Sequence, residues 1–201
     1  MIETTDKILD KESARSMSVQ TRLLTVSDLD DFPDDGLRRE IIAGVLYVSA
    51  APARIHQRLL GYVFRSIIEA VEDTGWGEVY FAPVDVRFSE NDQVQPDLLV
   101  IKADRLGIYR GSTVFGAPDL VVEILSPSNR SVDLVNKARL YADKGVPEYW
   151  ILDPINHTAQ VFKLSDGQFE PVALDGDLIR STVIPNLVID SADLFACLPS
   201  R

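Results

Sequence analysis

The sequence predicts a mixed α/β fold in which a central sheet is flanked by helices. Strand-like and helix-like segments alternate through the middle of the chain. Residues 118–126, PDLVVEILS, are apolar almost throughout, as a strand covered on both faces is. Two amphipathic segments, 52–73 and 133–144, supply helices to pack against such a sheet. At 201 residues and 46% hydrophobic content, the chain suits one domain with a core that needs no disulfide or structural metal.

Residues 1–20 lack hydrophobic periodicity and read as a disordered tail, leaving 21–201 as the folded domain. Ser27 is placed to cap a short helix over 28–31, stopped by Pro33. Residues 37–49 read as a hairpin turning at Ala43 and Gly44. In the helix over 52–73, Ile55, Leu59, Val63, Ile67, Ala70 and Val71 share an apolar arc, with Arg54, Arg58 and Arg65 opposite. Thr74 and Gly75 end it. Strands are expected over 77–82, 84–89 and 94–101, with a turn at Asn91 and Asp92, and then over 118–126. The helix over 133–144 stops at Gly145 and Pro147. Residues 148–152, 159–164, 169–174 and 178–179 follow as strands, and 187–195 as a short strand or helix.

The net charge of −11 counts against a general nucleic-acid binder, so any phosphate contact must come from a local patch or from metal. Cys197 is the single cysteine, which leaves no internal bridge or zinc cluster and makes a reducing cytoplasm the expected compartment. The start of the chain reads as lacking a signal segment, and no apolar run of about 18 residues suggests a membrane span.

Two acids interrupt apolar strands. Glu123 shares its alternation with Val121 and Leu125, where an ionised carboxylate is expensive unless it is paired or bound to a cation. Asp97 opens the run DLLVI after Pro96. If the Pro-Asp strands at 96–97 and 118–119 are neighbours, their carboxylates can converge on a hard cation such as Mg2+. Salt bridges to a buried Arg or Lys, or a solvated strand end, would also account for either acid. Asp133, Lys137 and Tyr141 form one stripe at the edge of the second helix's apolar face. Lys137 could reach the same site and orient a water, or simply pair with Asp133 on the helix surface. His56 lies on the apolar arc of the first helix, either as a hydrogen-bonded core histidine or at a site mouth as a base or phosphate contact. The arginine stripe reads as a solvated face or a phosphate track.

The string PDLVVEILSPS, then Asp133, Lys137 and Tyr141, then GVPEYWILDP resembles the Uma-two family, small bacterial proteins of the PD-(D/E)XK nuclease superfamily. The likeness extends to LRREIIAGVLYV, the helix bearing His56 and VDVRFSENDQVQPDLLVI. It implies a restriction-endonuclease-like fold with extra antiparallel strands. It also implies that Asp97 stands for the superfamily's first aspartate and Glu123 for the acid of its second motif. That motif's lysine belongs two residues after Glu123, where Leu125 stands, so the resemblance is to the migrated-lysine variant with Lys137 supplying the amine. It further suggests Glu40 as an added metal ligand, whose alternative is a solvated strand residue beside Arg38 and Arg39, and Gln95 as a contact.

The resulting expectation is an endonuclease that cuts DNA, with Asp97, Glu123 and the Ile124 carbonyl holding Mg2+ (or Mn2+) and Lys137 positioning the attacking water. A homodimer on double-stranded DNA is expected from the same resemblance. The acidic charge and Leu125 keep open a catalytically inactive nuclease-fold protein that binds a partner. A nuclease for a small or structured nucleotide substrate is a third possibility.

Overall fold

The computed structural model describes residues 22–126 and 132–198, apart from the side chains of 132–134. The tail expected over 1–20 and the side chain of Asp133 lie outside the described residues. A 3-10 turn, Val26–Asp31, is capped by Thr25 rather than Ser27, and the Asp28 carboxylate accepts from the Thr25 amide at 2.6 Å. The hairpin of β1 (Arg38–Ile42) and β2 (Val45–Ser49) turns at Ala43 and Gly44, both at positive φ. In α1 (Arg54–Val71), Leu59, Val63, Ile67 and Val71 are buried, while Arg54, Arg58 and Arg65 are exposed on the outer face.

Then come β3 (Gly77–Phe81), β4 (Asp85–Ser89), β5 (Asp92–Val94) and β6 (Leu98–Lys102). The last two were expected as one strand. Pro96 divides them because it has no N–H to give a ladder, and they lie in different sheets. The sequence did not suggest the 3-10 segment Ala103–Ile108 or the short strands β7 (Tyr109–Arg110) and β8 (Thr113–Phe115). After β9 (Leu120–Ile124), a π-helical segment, Val132–Lys137, leads into α2 (Ala138–Asp143). The chain continues through β10 (Glu148–Asp153), β11 (Thr158–Ser165), β12 (Gln168–Val172), β13 (Leu178–Arg180), β14 (Val188–Asp190) and α3 (Ser191–Ala196).

The central sheet has the order β12-β11-β10-β9-β6-β3, a second six-stranded sheet runs β2-β1-β5-β4-β8-β7, and β13 pairs with β14. Alternation sorts β9 between two cores. Leu120, Val122 and Ile124 pack with α1 and the C-terminal elements, while Val121 and Leu125 pack with α2 and the second sheet. Glu123 has the parity of the latter pair, so it points to where the two sheets meet. β6 runs antiparallel to β9 with Leu98 opposite Val122, which brings the preceding residue, Asp97, abreast of Glu123. Pro96 thus has a positional consequence: the residues around it, Gln95 and Asp97, stand where the chain crosses from one sheet to the other.

Candidate active site

Three acids that should seek water are instead buried together: Glu40 on β1 at 2% exposure, Asp97 at 3% and Glu123 at 1%. Burial of ionised carboxylates is tolerable only with counter-charges and hydrogen bonds, and the surrounding elements supply both. From the end of the π-helical segment, Lys137 places its Nζ 2.9 Å from Glu123 Oε1 and 2.9 Å from Glu40 Oε1. From α2, the Tyr141 hydroxyl donates to Glu123 Oε1 at 2.7 Å. Arg38, two residues before Glu40 on the same face of β1, extends its guanidinium across the group. Its Nη1 donates to Asp97 Oδ1 at 3.1 Å, and its Nη2 lies 3.3 Å from Glu40 Oε1 and 3.7 Å from Glu123 Oε2. Asp97 Oδ2 faces His56 Nε2 at 3.0 Å and accepts from the Ile124 amide at 2.8 Å.

The electrostatics follow from that packing. Burial alone would raise the Asp97 carboxyl, but the hydrogen bond and charge of His56, then Arg38 and the Ile124 amide, outweigh it and hold Asp97 down to about 2. Glu40 is likewise lowered, because Lys137, Arg38 and the Gln95 amide overcome its desolvation. Arg38 is opposed by burial yet raised by Glu40, Glu123 and Asp97. Burial, with Glu123 and Glu40 close by, pushes the Tyr141 phenol well up, so it remains a donor.

The structure brings Asp97, Glu123, Lys137, Glu40, His56 and Tyr141 into one connected network. Glu40 is not the solvated strand residue that its neighbours Arg38 and Arg39 suggested, and His56 is more than core packing. Gln95 joins through its backbone, whose amide donates to Glu40 Oε1 at 2.7 Å, while its side chain turns to Asp85. Lys137 sits deeper than the edge of an apolar face: it is fully buried behind the carboxylates. Sequence reasoning missed Arg38. Its signal was present in the spacing Arg38-x-Glu40, which puts the two side chains on one face of a strand.

A cleft of about 580 Å³ opens onto this network. Arg38, His56, Asp97, Glu123 and Ile124 line it together with the 49–53 connection into α1. Among the described residues no group of three or more His, Cys, Asp or Glu side chains stands ready as a metal cage. The donor set nevertheless fits Mg2+ or Mn2+. One guanidinium already spans Asp97 Oδ1 and Glu123 Oε2, so both carboxylates face a single cation position. Mg2+ characteristically takes one or two carboxylates and keeps waters on its other positions.

Comparison with known proteins yields a family and a fold. A family model described as Uma2, "Putative restriction endonuclease", matches residues 26–192. The chain is also similar to the crystal structure of "a putative nuclease belonging to DUF820" from Anabaena variabilis ATCC 29413, with a TM-score of 0.75 and 19% identity over 88% of this chain and 99% of that one. No curated protein matches the chain. Among the described residues no helix is long and apolar enough to cross a membrane.

Proposed function

Because the chain belongs to the Uma2 family, we propose that it is a metal-dependent endonuclease hydrolysing phosphodiester bonds in DNA. The observation that carries this reading is a pair of buried carboxylates, Glu123 on β9 and Asp97 just before the neighbouring β6, both within reach of one guanidinium and both lining a cleft. Mg2+, or Mn2+, bound by Asp97 and Glu123 with the Ile124 carbonyl, would supply charge neutralisation and water activation at the phosphate. His56 and the Ile124 amide fix Asp97 Oδ2 and leave Oδ1 directed at the cation position. Lys137 and Tyr141 fix Glu123 Oε1 from behind, which holds that carboxylate in place. The expectation from sequence gave Lys137 a direct hold on the attacking water; its burial favours a role exerted through Glu123.

We take the substrate to be double-stranded DNA and the active form to be a homodimer, an arrangement that would present two sites to one duplex. Cleavage of linear duplex DNA in Mg2+ or Mn2+ tests the reading. Wild type should cut, and Asp97→Asn and Glu123→Gln should each lose on the order of a thousandfold, the several kcal/mol that such an ion contributes. A wild-type protein that cuts neither DNA nor RNA in either ion refutes it. A second reading, a catalytically inactive partner-binding module, draws support from Arg38 and Lys137, which already neutralise most of the acidic cluster, and from the net charge of −11.

A further inference from the structure

Among the described residues two permanently charged cations, Lys137 and Arg38, serve the acidic cluster, and they are held differently. Lys137 is fully buried, with both glutamates at 2.9 Å, the close geometry of a permanent counter-ion. Arg38 makes two long hydrogen bonds, 3.1 Å to Asp97 and 3.3 Å to Glu40, and one looser approach of 3.7 Å to Glu123. A guanidinium that serves as a fixed clamp normally engages carboxylates through paired, parallel bonds. Here the buried Nε of Arg38 has no hydrogen-bond partner among the described residues. The side chain is also 21% exposed and lines the cleft, so it has somewhere to go.

We propose that Arg38 is an exchangeable counter-ion that occupies the divalent-cation position in the metal-free protein and must withdraw into the cleft for the cation to bind; this rests on the metal-dependent reading above. Its guanidinium spans Asp97 Oδ1 and Glu123 Oε2, the same carboxylates assigned to the ion. Charge makes the exchange mutual. Apart from His56, and among the described residues, Glu40, Asp97 and Glu123 set three negative charges against the two permanent positive charges of Arg38 and Lys137. A dication added beside Arg38 would leave the group with one excess positive charge in a poorly solvated place. A dication that replaces Arg38 leaves the carboxylates and Lys137 balanced. Withdrawn, the guanidinium stays in the cleft wall, where a phosphate is the kind of group that fits its planar donors.

The test is Mn2+ affinity, measured by calorimetry and by electron paramagnetic resonance of the free ion, on the full chain. Arg38→Gln should bind Mn2+ at least about tenfold more tightly than wild type, the worth of one charge-assisted contact removed from the competition. Arg38→Lys keeps the charge but loses the fork, and should gain affinity in the same direction by a smaller factor. It also serves if Arg38→Gln fails to give the wild-type circular dichroism spectrum. Equal or weaker binding by these variants, with wild type binding normally, overturns the exchange and leaves the metal-dependent reading standing. If wild type and both variants all fail to bind, that reading falls and the exchange falls with it.

Discussion

Replacing Lys137 with Met isolates the charge that holds the cluster together. The stem of the side chain is kept, so little packing volume is lost, but the ammonium 2.9 Å from both Glu40 and Glu123 disappears. The two glutamates are 2% and 1% exposed, so water cannot take its place. Removing one partner of a buried ion pair typically costs about 3–5 kcal/mol. For a domain of this size each kcal/mol moves the melting midpoint by about 2–4 °C, and the expected drop is therefore roughly 6–20 °C. Urea unfolding at pH 7 and thermal melts followed by circular dichroism measure it. The double variant Lys137→Met/Glu123→Gln should recover part of the loss, because it removes one stranded charge. If Lys137→Met unfolds within about 1 kcal/mol of wild type, the ammonium is not the counter-ion of these carboxylates and the reasoning fails.

Other perturbations have defined outcomes. Tyr141→Phe removes the donor to Glu123 Oε1 and should destabilise by about 1–3 kcal/mol in urea unfolding, with DNA cleavage reduced but not abolished. The folded Asp97 carboxyl sits at about 2, below its unfolded value, so its stabilising effect is full above about pH 4 and is lost as pH falls toward 2. Asp97→Asn should accordingly flatten the fall in stability over that window, measured as unfolding free energy against pH. Glu148 is fully buried far along the chain from the cluster and accepts from the Trp150 indole at 2.6 Å and from the Thr182 amide and hydroxyl. Thr182→Val should therefore cost about 1–3 kcal/mol of stability while leaving Mn2+ affinity unchanged, which separates structural loss from loss at the site.

The parts legible in the sequence were those that violate a pattern. Glu123 stood out because a carboxylate breaks an apolar strand, and Asp97 because it opens one. Alternation then fixed the face of Glu123 correctly, together with Val121 and Leu125. The depth of Lys137 was not legible. Regular α-helical stepping put it at the edge of an apolar face, but Val132–Lys137 is π-helical, and its wider i→i+5 turn changes the phase before α2 begins. Pro96 marks the division of residues 94–101 only weakly, since a single proline at a strand's start is also tolerated. The second sheet was largely hidden because strands such as Tyr109–Arg110 and Thr113–Phe115 are too short to show alternation. Arg38 was hidden for a different reason. An arginine beside another arginine and a glutamate reads as surface, and only the fold shows that β1 carries one of the pair inward.

The proposed function requires Asp97 and Glu123 to share one divalent ion. Anomalous diffraction from crystals soaked in Mn2+ addresses it most directly. A single peak about 2.0–2.3 Å from an oxygen of each carboxylate, with the Arg38 guanidinium displaced from between them, is the expected result. Full soaking with no peak there, and Arg38 still bridging Asp97 and Glu123, would rule out a shared ion at this site.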